Sequence, residues 1–150
     1  MQLTRFSDLG LRVLMYLTQI DGSRPVTISE IAAQFDVSRH HLVKVVHFMA
    51  QQGWLQTTRG KGGGLSLARP PQAYKLGELV QGLEGTAPLI DCAQPPCALK
   101  GACAFKGLLD EAQAAFYQAL DRHTLADAVS PPTNQVIIRM MRRRALPVSV

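Results

Sequence analysis

A chain of 150 residues, 47% of them apolar, can bury one core but is too short for two ordinary domains. It holds no run of eighteen apolar residues to cross a membrane, no charged-then-apolar secretion signal in Met1-Gln2-Leu3-Thr4-Arg5, and no phosphate loop or nucleophile elbow, so an enzyme is not expected. The net charge of +5 is unevenly divided: residues 1–75 carry nine Lys/Arg against four Asp/Glu, residues 76–135 three against seven, and residues 136–150 four against none.

A basic N-terminal half suits a nucleic-acid binder, because cations that neutralise phosphates release condensed counterions. From Phe6, the residues Leu9, Val13, Tyr16, Leu17 and Ile20 keep helical spacing, which predicts a helix with one buried face. Asp21-Gly22-Ser23-Arg24-Pro25 ends it. Thr27-Ile28-Ser29-Glu30 fits a capping box, in which hydroxyl and carboxylate satisfy orphan amides at the start of a short helix through Ile31, Ala32 and Phe35. Asp36-Val37-Ser38 then predicts a turn ending on a cap residue, and Leu42, Val45, Val46 and Met49 keep helical spacing up to Gly53. Two short helices joined by a three-residue turn make a helix-turn-helix.

On the second helix, Ser38, Arg39, His40, His41 and Lys44 occupy the first two turns, opposite the apolar set, where a recognition helix meets base edges and phosphates. Arg39 has the forked donors to read guanine, and Lys44 offers a point charge to phosphate. His47, deeper in the helix, is expected to pack. Trp54 to Thr58 and Leu65-Ser66-Leu67 read as strands. The glycines of Arg59-Gly60-Lys61-Gly62-Gly63-Gly64 permit the positive dihedrals of a hairpin tip, and Arg59 and Lys61 leave that tip charged. The fold class is therefore mainly α with a small β-hairpin: a winged helix-turn-helix over residues 1–75.

Pro70-Pro71 breaks the chain before a short amphipathic helix (Leu76, Leu79, Val80, Leu83) that leads to Gly85. Residues 86–102 look irregular and, with the end of this 76–103 segment, hold Cys92, Cys97 and Cys103. A cytoplasmic protein with reduced thiols is expected, so three cysteines, an odd number, point to metal or redox chemistry rather than disulfides. Thiolates crowded in one loop suit an iron–sulfur cluster or zinc. Zinc sites usually offer close Cys-x-x-Cys pairs and a fourth Cys or His nearby, and this loop has neither. Three merely buried thiols are the plain alternative, but the loop shows no apolar periodicity that would bury them. Within 104–130, Phe105, Leu108, Leu109, Ala112, Ala115, Phe116, Ala119 and Leu120 form one stripe on a long helix suited to dimerisation, and Thr124-Leu125-Ala126-Asp127 opens a last short helix. Beyond Pro131-Pro132 a flexible basic tail, 131–150, with Arg142-Arg143-Arg144 is expected.

The stretches Leu3-Thr4-Arg5-Phe6-Ser7-Asp8, Val37 to Lys44 and Arg59 to Leu65, together with the three cysteines, resemble the Rrf2 family of winged-helix regulators over about residues 1–130, most closely its nitric-oxide-sensitive repressors. The resemblance implies a homodimeric transcriptional repressor on palindromic double-stranded operator DNA, with nitric oxide as signal. It implies a 4Fe-4S cluster on Cys92, Cys97 and Cys103, with Asp8 of the partner subunit as a further ligand. Family members that regulate cluster assembly hold a 2Fe-2S cluster through a His three residues after the third Cys, and Lys106 stands there. Regulation of cluster assembly or of iron and redox status is the related alternative. A zinc-stapled DNA binder and a small iron–sulfur electron-transfer protein are the others, although a ferredoxin normally has four Cys and needs no basic wing.

Overall fold

The computed structural model describes residues 2–20, 25–58, 60, 63–85 and 87–145, with side chains as far as Arg142. Its elements in chain order are α1 (Arg5–Leu17), α2 (Ile28–Gln34), α3 (Arg39–Gln51), β1 (Leu55–Thr57), β2 (Leu65–Leu67), a 3-10 turn (Pro71–Ala73), α4 (Leu76–Glu84), α5 (Ala104–Leu120), α6 (Leu125–Ala128) and α7 (Thr133–Ala145).

Helix α1 begins where the Thr4 hydroxyl accepts a hydrogen bond from the Ser7 amide, and its spaced apolar residues bury Val13, Leu14, Tyr16 and Leu17. The Thr27 hydroxyl likewise accepts from the Glu30 amide at the start of α2, while the Glu30 carboxylate accepts from the Tyr16 hydroxyl at 3.2 Å and so joins α2 to α1. The buried face of α3, Leu42, Val45, Val46 and Met49, joins the same core, as do Leu79 and Leu83 of α4. Phe48 meets Phe6 and Trp54 edge-on, with centroids 5.4 and 6.1 Å away, so aromatic contacts knit α1, α3 and the root of the hairpin. Strands β1 and β2 pair antiparallel with Leu55 opposite Leu67, and the Leu65 amide donates to the Val26 carbonyl at 2.8 Å, which anchors the hairpin to the segment entering α2.

The last short helix starts at Thr124 as expected, and it does so through a capping box that the start signal did not specify: Thr124 and Asp127 exchange side-chain-to-backbone hydrogen bonds. Leu125 behind it is fully buried and its amide donates to the Tyr74 carbonyl, so the C-terminal part of the chain folds back onto the N-terminal half. Helix α5 crosses α4 at Gly77, where an added Cβ would lie 2.3 Å from the Tyr117 carbonyl oxygen. No residue of α5 is buried, and Phe105 and Leu108 are each 62% exposed, so the predicted stripe is present and largely uncovered in one chain.

The tail expected to be flexible is instead helical from Thr133 to Ala145. Pro131-Pro132 reads as a break, yet a proline just before the first helical turn costs no hydrogen bond, and Val136, Ile137, Met140 and Met141 follow at helical spacing. Ile137 is 6% exposed and Met141 packs against the core. Among the described residues, no helix is long and apolar enough to cross a membrane.

Candidate nucleic-acid interface and cysteine loop

Packing of Leu42, Val45, Val46 and Met49 inward turns the other side of α3 to solvent, and Arg39, His40, His41 and Lys44 are all exposed there. Ser38 occupies the cap position without a side-chain cap hydrogen bond, and is exposed too. Arg39 donates from Nε to the Ser29 hydroxyl at 3.0 Å. That bond ties the recognition helix to the first turn of α2 through Nε alone, and the two Nη groups of this exposed guanidinium keep the paired donors that bidentate recognition needs. His47, expected to pack, is exposed and shares the outward face with His40, Val43 and Lys44, because the buried stripe passes on either side of it. Val43, 36% exposed, also belongs to this face and has the chemistry to meet a thymine methyl group. Sequence reasoning missed it, since a β-branched residue in a helix signals core. Arg59 and Lys61 lie outside the described residues. Thr57, Thr58 and Gly60 of the hairpin form one wall of a groove of about 430 Å³ whose other wall is Thr27, Ser29 and Arg39.

A second cleft, of about 550 Å³, separates α1 from α3 and is lined by Arg5, Asp8, Arg12, His41 and Lys44 among others. Asp8 is half-exposed and held by Arg12 one turn on, Nε to Oδ1 and Nη2 to Oδ2 both at 2.9 Å. The carboxylate expected to reach a partner's cluster thus shares a wall with two residues of the recognition helix.

The start of α1 is clamped from 80 residues away. Glu84, the last residue of α4, accepts from the Thr4 amide at 2.7 Å and the Thr4 hydroxyl at 3.1 Å. Burial alone would raise its pKa, but hydrogen bonds from Ser7 and Thr4 outweigh that and hold the carboxyl below its ordinary value of 4.5. At Gly85 the backbone turns with φ +79° away from α4 and into the cysteine loop. One joint therefore carries both the root of the loop and the start of α1. A depressed folded-state pKa contributes stability that is present above about pH 4.5 and is lost as pH falls through the folded value. Glu84→Gln is expected to lower stability at pH 7 by about 1 kcal/mol, or roughly 3 °C in Tm, and to show a shallower loss between pH 5 and about pH 3 than wild type. Thermal unfolding across that range checks it; parallel curves would remove the clamp from the acid response.

Cys92, Cys97 and Cys103 are all free thiols. The Cys97 amide donates to the Cys92 carbonyl and the Lys100 amide to the Cys97 carbonyl, so the loop turns repeatedly on itself, and Cys103 occupies the position just before α5 without a side-chain cap hydrogen bond. Cys92 and Cys103, both half-buried, line one pocket of about 520 Å³ with Lys100, Lys106 and Asp110, whereas Cys97 is exposed and is not part of that lining. Lys106 is paired with Asp110. Among the described residues, no three Cys, His, Asp or Glu side chains converge as a group that could hold a metal ion. The donor set itself fits a cluster: three soft thiols within residues 92–103 of a turn-rich loop, two of them already facing one cavity.

The family model for Rrf2, described as an iron-dependent transcriptional regulator, matches residues 3–131. The chain belongs to the Rrf2 family. This Rrf2 protein is similar to CymR of B. subtilis, described as its global cysteine regulator, at 25% identity over 85% of this chain and 95% of that one, with a TM-score of 0.69. T. potens IscR shares the fold at 24% identity over 86% of each chain, TM-score 0.68, and Staphylococcus aureus CymR at 24% identity over 85% and 97%, TM-score 0.66. Family and neighbours are transcriptional regulators, and the chain shares their winged-helix fold. The family match stops just before α7 of this Rrf2 protein.

Proposed function

We propose that this Rrf2 protein is a homodimeric repressor that binds a palindromic operator while it carries an iron–sulfur cluster and releases the operator on exposure to nitric oxide. The observation that carries this reading is the trio of free thiols in one loop, rooted at the joint that also fixes the start of α1. Cys92, Cys97 and Cys103 would hold a 4Fe-4S cluster, with the partner subunit's Asp8 as the remaining ligand. Such a group, when bound, supplies iron that nitric oxide can attack. The chain's own part is mechanical. Asp8 and Arg12 form one side of a cleft whose other side is His41 and Lys44, so a pull on Asp8 bears on the seating of the recognition helix. A signal that binds one arrangement better than the other shifts the population between them. The exposed Phe105 and Leu108 of α5 supply the apolar surface for a second copy, which sets two recognition helices one DNA turn apart.

Anaerobic purification followed by iron and sulfide analysis, absorbance spectroscopy and nitric oxide titration against operator binding tests the reading. A colourless zinc protein, or a cluster whose loss leaves operator binding unchanged, would defeat it. A 2Fe-2S spectrum with no response to nitric oxide would transfer the protein to regulation by iron or redox status, the second reading, which the family description as an iron-dependent regulator favours. Within the first, Asp8→Ala is expected to keep much of its iron, because the thiolates supply most of the affinity, yet to bind operator at least about tenfold more weakly, equivalent to about 1.4 kcal/mol. If Asp8 and Arg12 were only an exposed pair, worth about 0.3–0.5 kcal/mol, the variant would keep the wild-type spectrum, affinity and response.

A further inference from the structure

We infer that α7 carries a second, sequence-independent DNA contact, in which Arg139 and Arg142 grip backbone phosphates beside the stretch that α3 reads. The inference rests on the family-level assignment as a DNA-binding regulator and not on the cluster. Helix α7 is two-sided. Ile137 is buried, Met141 packs on the core, and Met140 borders a groove with Met15 of α1 and Phe35 at the end of α2. Arg139 and Arg142 are exposed, and neither forms an ion pair with a described carboxylate. The sequence adds Arg143 and Arg144 and holds no Asp or Glu after Asp127.

Position and charge together select the partner. Phe35 lies three residues before Ser38, and Arg12, which also borders the α7 groove, lines the cleft beneath α3, so α7 is seated against the reading head. Cations repeated at three- and four-residue spacing repel one another along a helix, a cost that a solvated face normally avoids by mixing signs and that a polyanion relieves. A basic amphipathic helix can also lie on an anionic bilayer, but that mode needs its apolar side free to insert, and here Ile137 and Met141 are already used against the core. Duplex DNA, which needs only the cations, is the partner that fits.

The test compares the full-length wild type with Arg139→Ala/Arg142→Ala and with Arg139→Lys/Arg142→Lys, measuring affinity for a random-sequence duplex over a series of salt concentrations. Neither operator nor cluster is required, so failure of the nitric oxide reading leaves the result interpretable. The alanine pair is expected to reduce the slope of log affinity against log salt by about 0.9 for each phosphate no longer neutralised, close to two for both, and the lysine pair to retain the wild-type slope. Circular dichroism and thermal unfolding verify that α7 stays folded in both variants. An unchanged slope in a folded alanine variant overturns the inference, as does an equal loss in the lysine variant or a wild type that binds no duplex. Wild-type binding to phosphatidylserine vesicles that the alanine pair abolishes, with the DNA slope unaltered, would assign α7 to membranes and overturn it as well.

Discussion

Replacing any one of Cys92, Cys97 and Cys103 by alanine is expected to abolish the bound cluster and with it repression. Each substitution removes one of the chain's three thiolates, the loop holds no fourth Cys and no His to replace it, and Asp110, which shares the pocket, is engaged with Lys106. Burial separates ligation from packing. Cys97 is exposed, so Cys97→Ala removes almost no buried surface and should leave thermal stability of the metal-free chain within about 0.5 kcal/mol of wild type. Loss of iron in that variant would therefore report coordination alone. Iron and sulfide content, the visible spectrum and operator binding, all measured anaerobically, check the expectation. Wild-type colour and iron in all three variants would show that these thiols hold nothing.

Gly77→Ala should produce the largest loss of stability of any single methyl group added to the described helices. Glycine in a helix interior ordinarily costs about 0.5–1 kcal/mol relative to alanine, so the substitution would stabilise an unpacked helix. At Gly77, however, the new Cβ would sit 2.3 Å from the Tyr117 carbonyl oxygen and 2.4 Å from Asp121 Oδ1. A backbone carbonyl cannot swing aside, and Asp121 Oδ1 already accepts from the Glu78 amide at 3.0 Å, capping α4 from across the interface. The two helices must move apart. Overpacking of this kind costs about 1–3 kcal/mol, which for a chain of this size lowers Tm by roughly 3–10 °C. Gly107→Ala is the contrast, since nothing lies within 4 Å of its added Cβ and the helical preference alone should raise Tm slightly. Thermal unfolding of both variants decides the matter; a Gly77→Ala protein as stable as wild type would mean that α5 does not press on α4. Because Cys103 is the residue from which α5 starts, the same displacement should also disturb the geometry of the thiol loop.

Local signals were enough for much of this protein. The capping residues Thr27 and Thr124, the spacing of Leu42, Val45, Val46 and Met49, the glycine-rich hairpin and the Ala104 start of the long helix were legible because each depends on neighbours within a few residues. The thiol spacing and the basic N-terminal half were legible for the same reason, and with them the outline of a DNA-binding regulator. Tertiary structure decided what depends on contacts between distant segments. His47 and Val43 turn outward because α1 and the hairpin root occupy the other side of α3, and Phe48 at the next position after His47 makes that contact. Pro131-Pro132 opens a helix rather than ending order, because α1 and α2 present an apolar surface on which Ile137 can be buried. Glu84 reaches Thr4 across 80 residues, and Gly77 is needed only because α5 returns over α4. Periodicity records which face of a helix is apolar; the energy that chooses a partner for that face is surface burial between segments far apart in the chain, and it exists only once they have met.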